Sequence, residues 1–141
     1  MARSSRLRRK WLRLGRYCRQ FIEISIGAAP GAVVIVVGYP QLFPSRQSQV
    51  LGCDWLNNEA RAGLNVVTAE AKNMLAGLAS IAHVDYVSTL AALAGHELCT
   101  RHSWMNPIEL GQNGNAHPNR SGQEAIERVV AAKVEALGFR S

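Results

Sequence analysis

Val33-Val34-Ile35-Val36-Val37 is an unbroken β-branched run. Two heavy atoms on each Cβ stiffen these side chains and favour a strand. With no polar residue alternating through it, the run suits a strand covered on both faces, as in a parallel sheet. Pro30-Gly31 precedes it and Gly38-Tyr39-Pro40 follows it. The apolar stretch Ala32 to Val37 is therefore too short for a signal-peptide core or a bilayer span. One other segment, Val84-Asp85-Tyr86-Val87, reads as a strand. A two-stranded sheet is marginally stable at best, so the pattern predicts a parallel sheet that is short of strands.

Helices are expected around these strands. Leu7, Trp11, Leu14, Cys18, Phe21 and Ile24 fall at helical spacing and predict one amphipathic stripe. Ile22, Ile24 and Ile26 also alternate as a strand would, and Gly27 to Gly31 ends the segment in either case. Residues 40 to 54 read as a loop. A second helix is expected from about Asp54, which can cap it, to about Ser80, with Leu56, Ala60, Leu64, Ala71, Leu75 and Leu78 as its stripe. Leu93 to Asn119 reads as a long polar loop, a length uncommon without a function. Ser121-Gly122-Gln123-Glu124 resembles a capping box opening a last helix, with Ile126, Val130, Val134 and Leu137 inward and Gly138 at the stop. Helix, strand, helix, strand, helix predicts an α/β fold.

Charge divides the chain. The net charge is +6. Arg3, Arg6, Arg8, Arg9, Lys10, Arg13, Arg16 and Arg19 all precede the first acid, Glu23. From Gln20 onward there are 8 basic and 10 acidic residues, a net −2. A basic N-terminal segment, expected over 1–29, thus precedes a slightly acidic domain over 30–141. A domain-wide face for nucleic acid is not supported.

His117 is the sharpest candidate for chemistry. It stands in Asn115-Ala116-His117-Pro118-Asn119, just ahead of the last helix. The positive end of that helix disfavours imidazolium there, as a general base requires. His96, in Gly95-His96-Glu97, reads more readily as a loop hydrogen-bonding residue. Cys99 and His102 are three apart, and His83, Asp85, His96 and His117 could add ligands, but no second close pair exists, so no metal site is expected. There is no glycine-rich phosphate loop and no Gly-x-Ser-x-Gly elbow. Ser121 reads as a helix cap rather than a nucleophile. Three cysteines leave one unpaired if two are bridged.

Three motifs in order carry a resemblance. Val36-Val37-Gly38-Tyr39-Pro40-Gln41-Leu42-Phe43-Pro44 looks like the segment after the fourth strand of actinobacterial SGNH (GDSL-type) esterases and lipases. Gly95-His96-Glu97-Leu98-Cys99 resembles the segment after their last strand. Asn115-Ala116-His117-Pro118-Asn119-Arg120-Ser121-Gly122-Gln123 resembles their final H-P-N-x-x-G block, in which the histidine is catalytic. The resemblance runs from about Pro30 to Leu137. It implies a partial three-layer αβα sandwich, flavodoxin-like, with a parallel sheet and its N-terminal strands missing. The family's G-D-S nucleophile block and the glycine and asparagine blocks of its oxyanion hole do not occur here. Where many members carry aspartate three residues before the histidine, this chain has Gly114, and the carbonyl of Gly114 or Asn115 could orient the ring instead. Leu93 stands where the family often has phenylalanine. Cys53 and Cys99 match a disulfide pair of the secreted members, worth about 4 kcal/mol on the entropic account. Cys18 has no counterpart and is expected free.

The implied activity is carboxylic-ester hydrolysis by serine–histidine acyl transfer, with His117 as base, no cofactor, and a small-molecule or lipid ester as substrate. Lacking the nucleophile block, the chain alone is expected to be inactive. Secretion or the cell envelope follows from the resemblance. The chain shows no signal peptide of its own, so the cytoplasm is expected if it is translated as given. No nucleic-acid partner is expected, whereas self-association through an exposed sheet edge is. The alternative is a non-catalytic protein that binds nucleic acid or a membrane surface through its basic N-terminal helix.

Overall fold

The computed structural model describes residues 2–46, 50–109 and 114–139, with residues 2–9 as backbone only. Five elements follow in the order α1 (Ala2–Ala28), β1 (Ile35–Val37), α2 (Asn58–Ile81), β2 (Asp85–Val87) and α3 (Arg120–Ala136). The strands pair as one two-stranded sheet. Asp85 N–H donates to Val34 O at 3.2 Å and Gly38 N–H to Val87 O at 2.8 Å. Both chains advance together between these rungs, so the sheet is parallel. The fold is a partial α/β sandwich, as the pattern of elements predicts. The chain divides into two compact units, Met1–Val36 with Asn73–Tyr86, and Val37–Lys72 with Val87–Ser141.

In the first unit α1 is a helix through the isoleucines that also alternate as a strand, and Ala29 N–H closes its end on Ser25 O. Its buried face keeps only part of the expected stripe. Ile22 is buried, and Trp11, Gly15, Cys18 and Ile26 are half-buried, whereas Leu14, Phe21 and Ile24 are exposed. Gly15 lies on that packed face beside Met74, whose Sδ stands 3.6 Å from where a Cβ would be. The side chains of Leu7, Arg3, Arg6, Arg8 and Arg9 lie outside the described residues. The strand β1 also differs from expectation. It is half-buried to exposed rather than covered on both faces, and Val37 is exposed.

The second unit holds the core. Phe43, Cys53, Leu93, Leu98, Cys99 and Met105 form one buried cluster, with Leu42, Leu56, Trp104 and Ile126 packed against it. Burying Phe43 and Leu93 fully contributes about 2–3 kcal/mol each. The disulfide between Cys53 and Cys99 ties this cluster, its two ends 46 positions apart in sequence. Cys18 is free. The start of α2 differs from expectation. Asn57, not Asp54, caps it, its Oδ1 accepting from Ala60 N–H at 2.9 Å, and Leu56 lies before the helix. The first half turns polar residues inward, with Arg61 and Thr68 buried and Leu64 exposed. These polar groups are spent on backbone. Arg61 donates to the carbonyls of Cys53 and Leu56. Asn65 accepts from Phe43 N–H at 3.0 Å and donates to Phe43 O at 2.8 Å, pinning the loop that carries the core phenylalanine. A buried loop backbone needs such partners.

The segment read as a polar loop after Leu93 runs, among the described residues, as a chain of tight turns over the core. Leu98 N–H donates to Leu42 O at 2.9 Å and Trp104 N–H to His96 O at 2.8 Å. The Glu97 carboxylate accepts from Gly95 N–H at 2.9 Å. The last helix keeps its expected stripe, with Ile126, Val130, Val134 and Leu137 half-buried. It stops at Gly138, whose φ of 86° is left-handed. Its cap, however, is Asn119 rather than Ser121. Asn119 is extended and its Oδ1 accepts from Gly122 N–H at 3.2 Å, leaving Ser121 exposed in the first turn.

A Cβ on Gly122 would stand 2.3 Å from Trp104 O and 2.9 Å from Pro118 Cβ. Gly122→Ala is therefore expected to cost about 3 kcal/mol and to lower the melting temperature by about 10 °C. A thermal melt followed by circular dichroism checks this. The outer edges of the two strands pair with no other strand among the described residues, and open edges recruit further chains. Light scattering after size exclusion is expected to find self-associated species; a sharp, monodisperse monomer would speak against it.

Candidate active site

His117 is exposed on a turn that begins at Gly114. Its own N–H donates to Gly114 O at 3.1 Å. The turn needs two left-handed residues, Gly114 at φ 84° and Ala116 at φ 57°. Glycine adopts this conformation freely, whereas alanine is held there at a cost of about 1–2 kcal/mol. Two bonds hold it. Ala116 N–H donates to Asn106 O at 3.2 Å, and the Tyr39 hydroxyl donates to Ala116 O at 3.1 Å. Burial pushes the Tyr39 hydroxyl above its ordinary range, so it remains a protonated donor.

Beyond the turn the chain is clamped as a short antiparallel pair. Met105 bridges Pro118. Asn106 N–H donates to His117 O at 2.8 Å and Asn119 N–H to Trp104 O at 2.9 Å. Asn119 is fixed again by its side chain, which donates to Ser103 O at 3.2 Å while capping α3. His117 thus sits two residues ahead of a capped helix N-terminus, with its peptide groups held on both sides.

Either of two carbonyls is expected to orient the ring, that of Gly114 or that of Asn115. The carbonyl of Gly114 already accepts from His117 N–H at 3.1 Å and from the Asn106 side-chain amide at 3.2 Å. Asn115 turns its side chain to the backbone of Glu109. The neighbour of the ring is Tyr39, edge-on at 6.4 Å between centroids and 81° between planes. Tyr39 reads in sequence only as part of a strand stop. Its partner lies 77 residues away, and no local pattern reports such a contact.

The other candidates fall elsewhere. His96 lies flat on Trp104, with centroids 3.7 Å apart, and its Nδ1 stands 2.7 Å from His102 O. It braces the turn that carries Trp104. Cys99 is held in the disulfide. His83 ends the turn after α2 with φ 55°. Among the described residues no group of three or more His, Cys, Asp or Glu gathers to hold a metal ion. A cavity of about 460 Å³ lies beside the disulfide, lined by Leu51, Trp55, Leu98, Met105, Ile108 and Asn119 among others. Asn119 links it to the His117 loop.

No protein-family model matches the chain. Over 95 residues it is 30% identical to a lipase of Streptomyces rimosus, and over 96 residues 27% identical to lipase 1 of Streptomyces coelicolor. Each match covers 67% of this chain and 34% of the relative, so the chain spans about a third of the length of the curated relatives it matches. Among solved structures it resembles the extracellular lipase of Streptomyces rimosus, with a TM-score of 0.75 and 26% identity over 84% of this chain and 50% of that one. It also shares its fold with a phospholipase A1 of Streptomyces albidoflavus, with a TM-score of 0.76 and 24% identity over 85% of this chain and 50% of that one. A partial parallel sheet, a bridged Cys53–Cys99 pair and a clamped histidine turn thus accompany likeness in both sequence and fold to these lipases, and the chain is similar to SGNH-type lipases over about half of their fold.

Proposed function

We propose that this chain supplies the histidine half of a serine–histidine site that hydrolyses lipid esters. The observation that carries this is the His117 turn: an exposed imidazole, backbone-clamped ahead of α3 and edged by Tyr39, in a chain similar to lipases. Residues 30–141 act as the C-terminal half of the hydrolase domain, with 1–29 as a basic helix before it. The serine belongs to a portion of the domain that this sequence does not match, so the chain alone turns over no ester.

In the assembled site the imidazole of His117 takes the serine proton as the serine oxygen attacks the ester carbonyl. The resulting imidazolium then protonates the departing alkoxide. Water attacks the acyl-enzyme with His117 again as base, and the imidazolium returns that proton to the serine oxygen as the carboxylic acid leaves. Tyr39 is a positioning residue, holding the strained Ala116 and so the ring that follows it. The cavity reached through Asn119 mixes apolar Leu51, Trp55, Leu98 and Met105 with Thr100 and Ser103, a lining that offers an ester both acyl contacts and hydrogen-bonding groups. The extracellular relative supports secretion as the working compartment.

A chimera in which this chain replaces its matching segment of the Streptomyces rimosus lipase tests the role of His117. It is expected to hydrolyse p-nitrophenyl butyrate, with His117→Ala lowering kcat by about a thousandfold or more. The chain alone is expected to match the blank. A folded chimera without activity, or activity indifferent to His117, would overturn the proposal. In the same chimera Tyr39→Phe loses one hydrogen bond of about 1 kcal/mol, so a drop of about fivefold in kcat with KM unchanged is expected. A shift in KM alone would assign Tyr39 to substrate binding instead.

A further inference from the structure

The outward face of α1 carries a pattern that the hydrolase reading does not use. Leu14, Tyr17, Phe21 and Ile24 follow at three, four and three residues, one line along the helix. They are 46%, 64%, 73% and 60% exposed. The opposite face is the packed one, with Ile22 buried and Gly15 against Met74. Lys10 stands one turn before Leu14 in the same line, and Arg13 and Arg16 border it; all three are exposed. The acid Glu23 is occupied by Arg19 at 2.7 Å. A strip of exposed aromatic and aliphatic side chains therefore lies beside a row of exposed cations.

We infer that α1 is a docking surface for an anionic lipid bilayer, lying in the plane of the interface. The charge calls for an anionic partner, and the apolar strip calls for one with an apolar layer just beneath its charges. A phosphodiester duplex or strand offers the first and leaves Phe21 and Ile24 in water, whereas a bilayer interface offers both. No helix among the described residues is long and apolar enough to cross a membrane, so the contact is one of lying on the surface. The inference is independent of the role of His117, and His117→Ala is expected to leave binding unchanged.

The test is flotation of the full chain with vesicles of phosphatidylcholine, with and without about 30 mol% phosphatidylglycerol, at low and high salt. Binding is expected to the anionic vesicles only and to weaken with salt. Phe21→Glu is expected to reduce it about tenfold or more, and the pair Arg13→Glu with Arg16→Glu by a similar factor. Both sites are exposed, so an unchanged thermal melt verifies that the fold persists. As a second variant, Phe21→Trp should keep binding and shift its emission to the blue on anionic vesicles. Three results would overturn the inference: equal binding to pure phosphatidylcholine; capture of poly(U) RNA that Phe21→Glu leaves intact while vesicles are ignored; or a dimer that Phe21→Glu dissociates, with no vesicle binding by either form.

Discussion

The close passage of one backbone over another at Gly122 governs the arrangement of this unit. The carbonyl of Trp104 occupies the space that any side chain at Gly122 would need. Only this approach lets Asn119 reach Trp104 O with its N–H, cap α3 with its Oδ1 and hold Ser103 O with its amide. The residue two places earlier, His117, inherits its position from that clamp. Helix α3, the turn before it and the core cluster below are thus one mechanical piece. The disulfide from Cys53 to Cys99 anchors the floor of the same piece.

The element order was legible because it rests on periodicity. A β-branched run, a helical repeat and a glycine stop each report on their own few residues, and the parallel pairing follows from helix–strand alternation. The faces of the helices were less legible. In α1 Gly15 and Ile22 turn inward beside Trp11 and Cys18, while Leu14 and Phe21 turn out. In α2 Arg61 and Thr68 are buried and Leu64 is exposed. A hydrophobic stripe assumes that apolar residues seek the core. It misses a polar residue that satisfies buried loop carbonyls.

The candidate site divides in the same way. His117, Cys53 and Cys99 were named from motif order. Tyr39 was not, because its bond to Ala116 crosses most of the domain in sequence. The Gly114 carbonyl, one of the two expected to orient the ring, already accepts from two donors, which no local pattern reports. Asn119 displaces Ser121 as cap because the clamp on Trp104 requires an extended residue with a short amide at that point.

These features hold the His117 turn rigidly, as the proposed role of general base requires. The central claim is that its ring faces a serine nucleophile in the assembled domain. The most direct measurement is a crystal structure of the lipase chimera after reaction with a p-nitrophenyl alkylphosphonate, which caps the nucleophile covalently. The account predicts a ring nitrogen of His117 within about 3 Å of the phosphonylated serine oxygen, with the Tyr39 hydroxyl still on Ala116 O. A His117 ring turned away from the adduct, or another side chain at that distance, would contradict it.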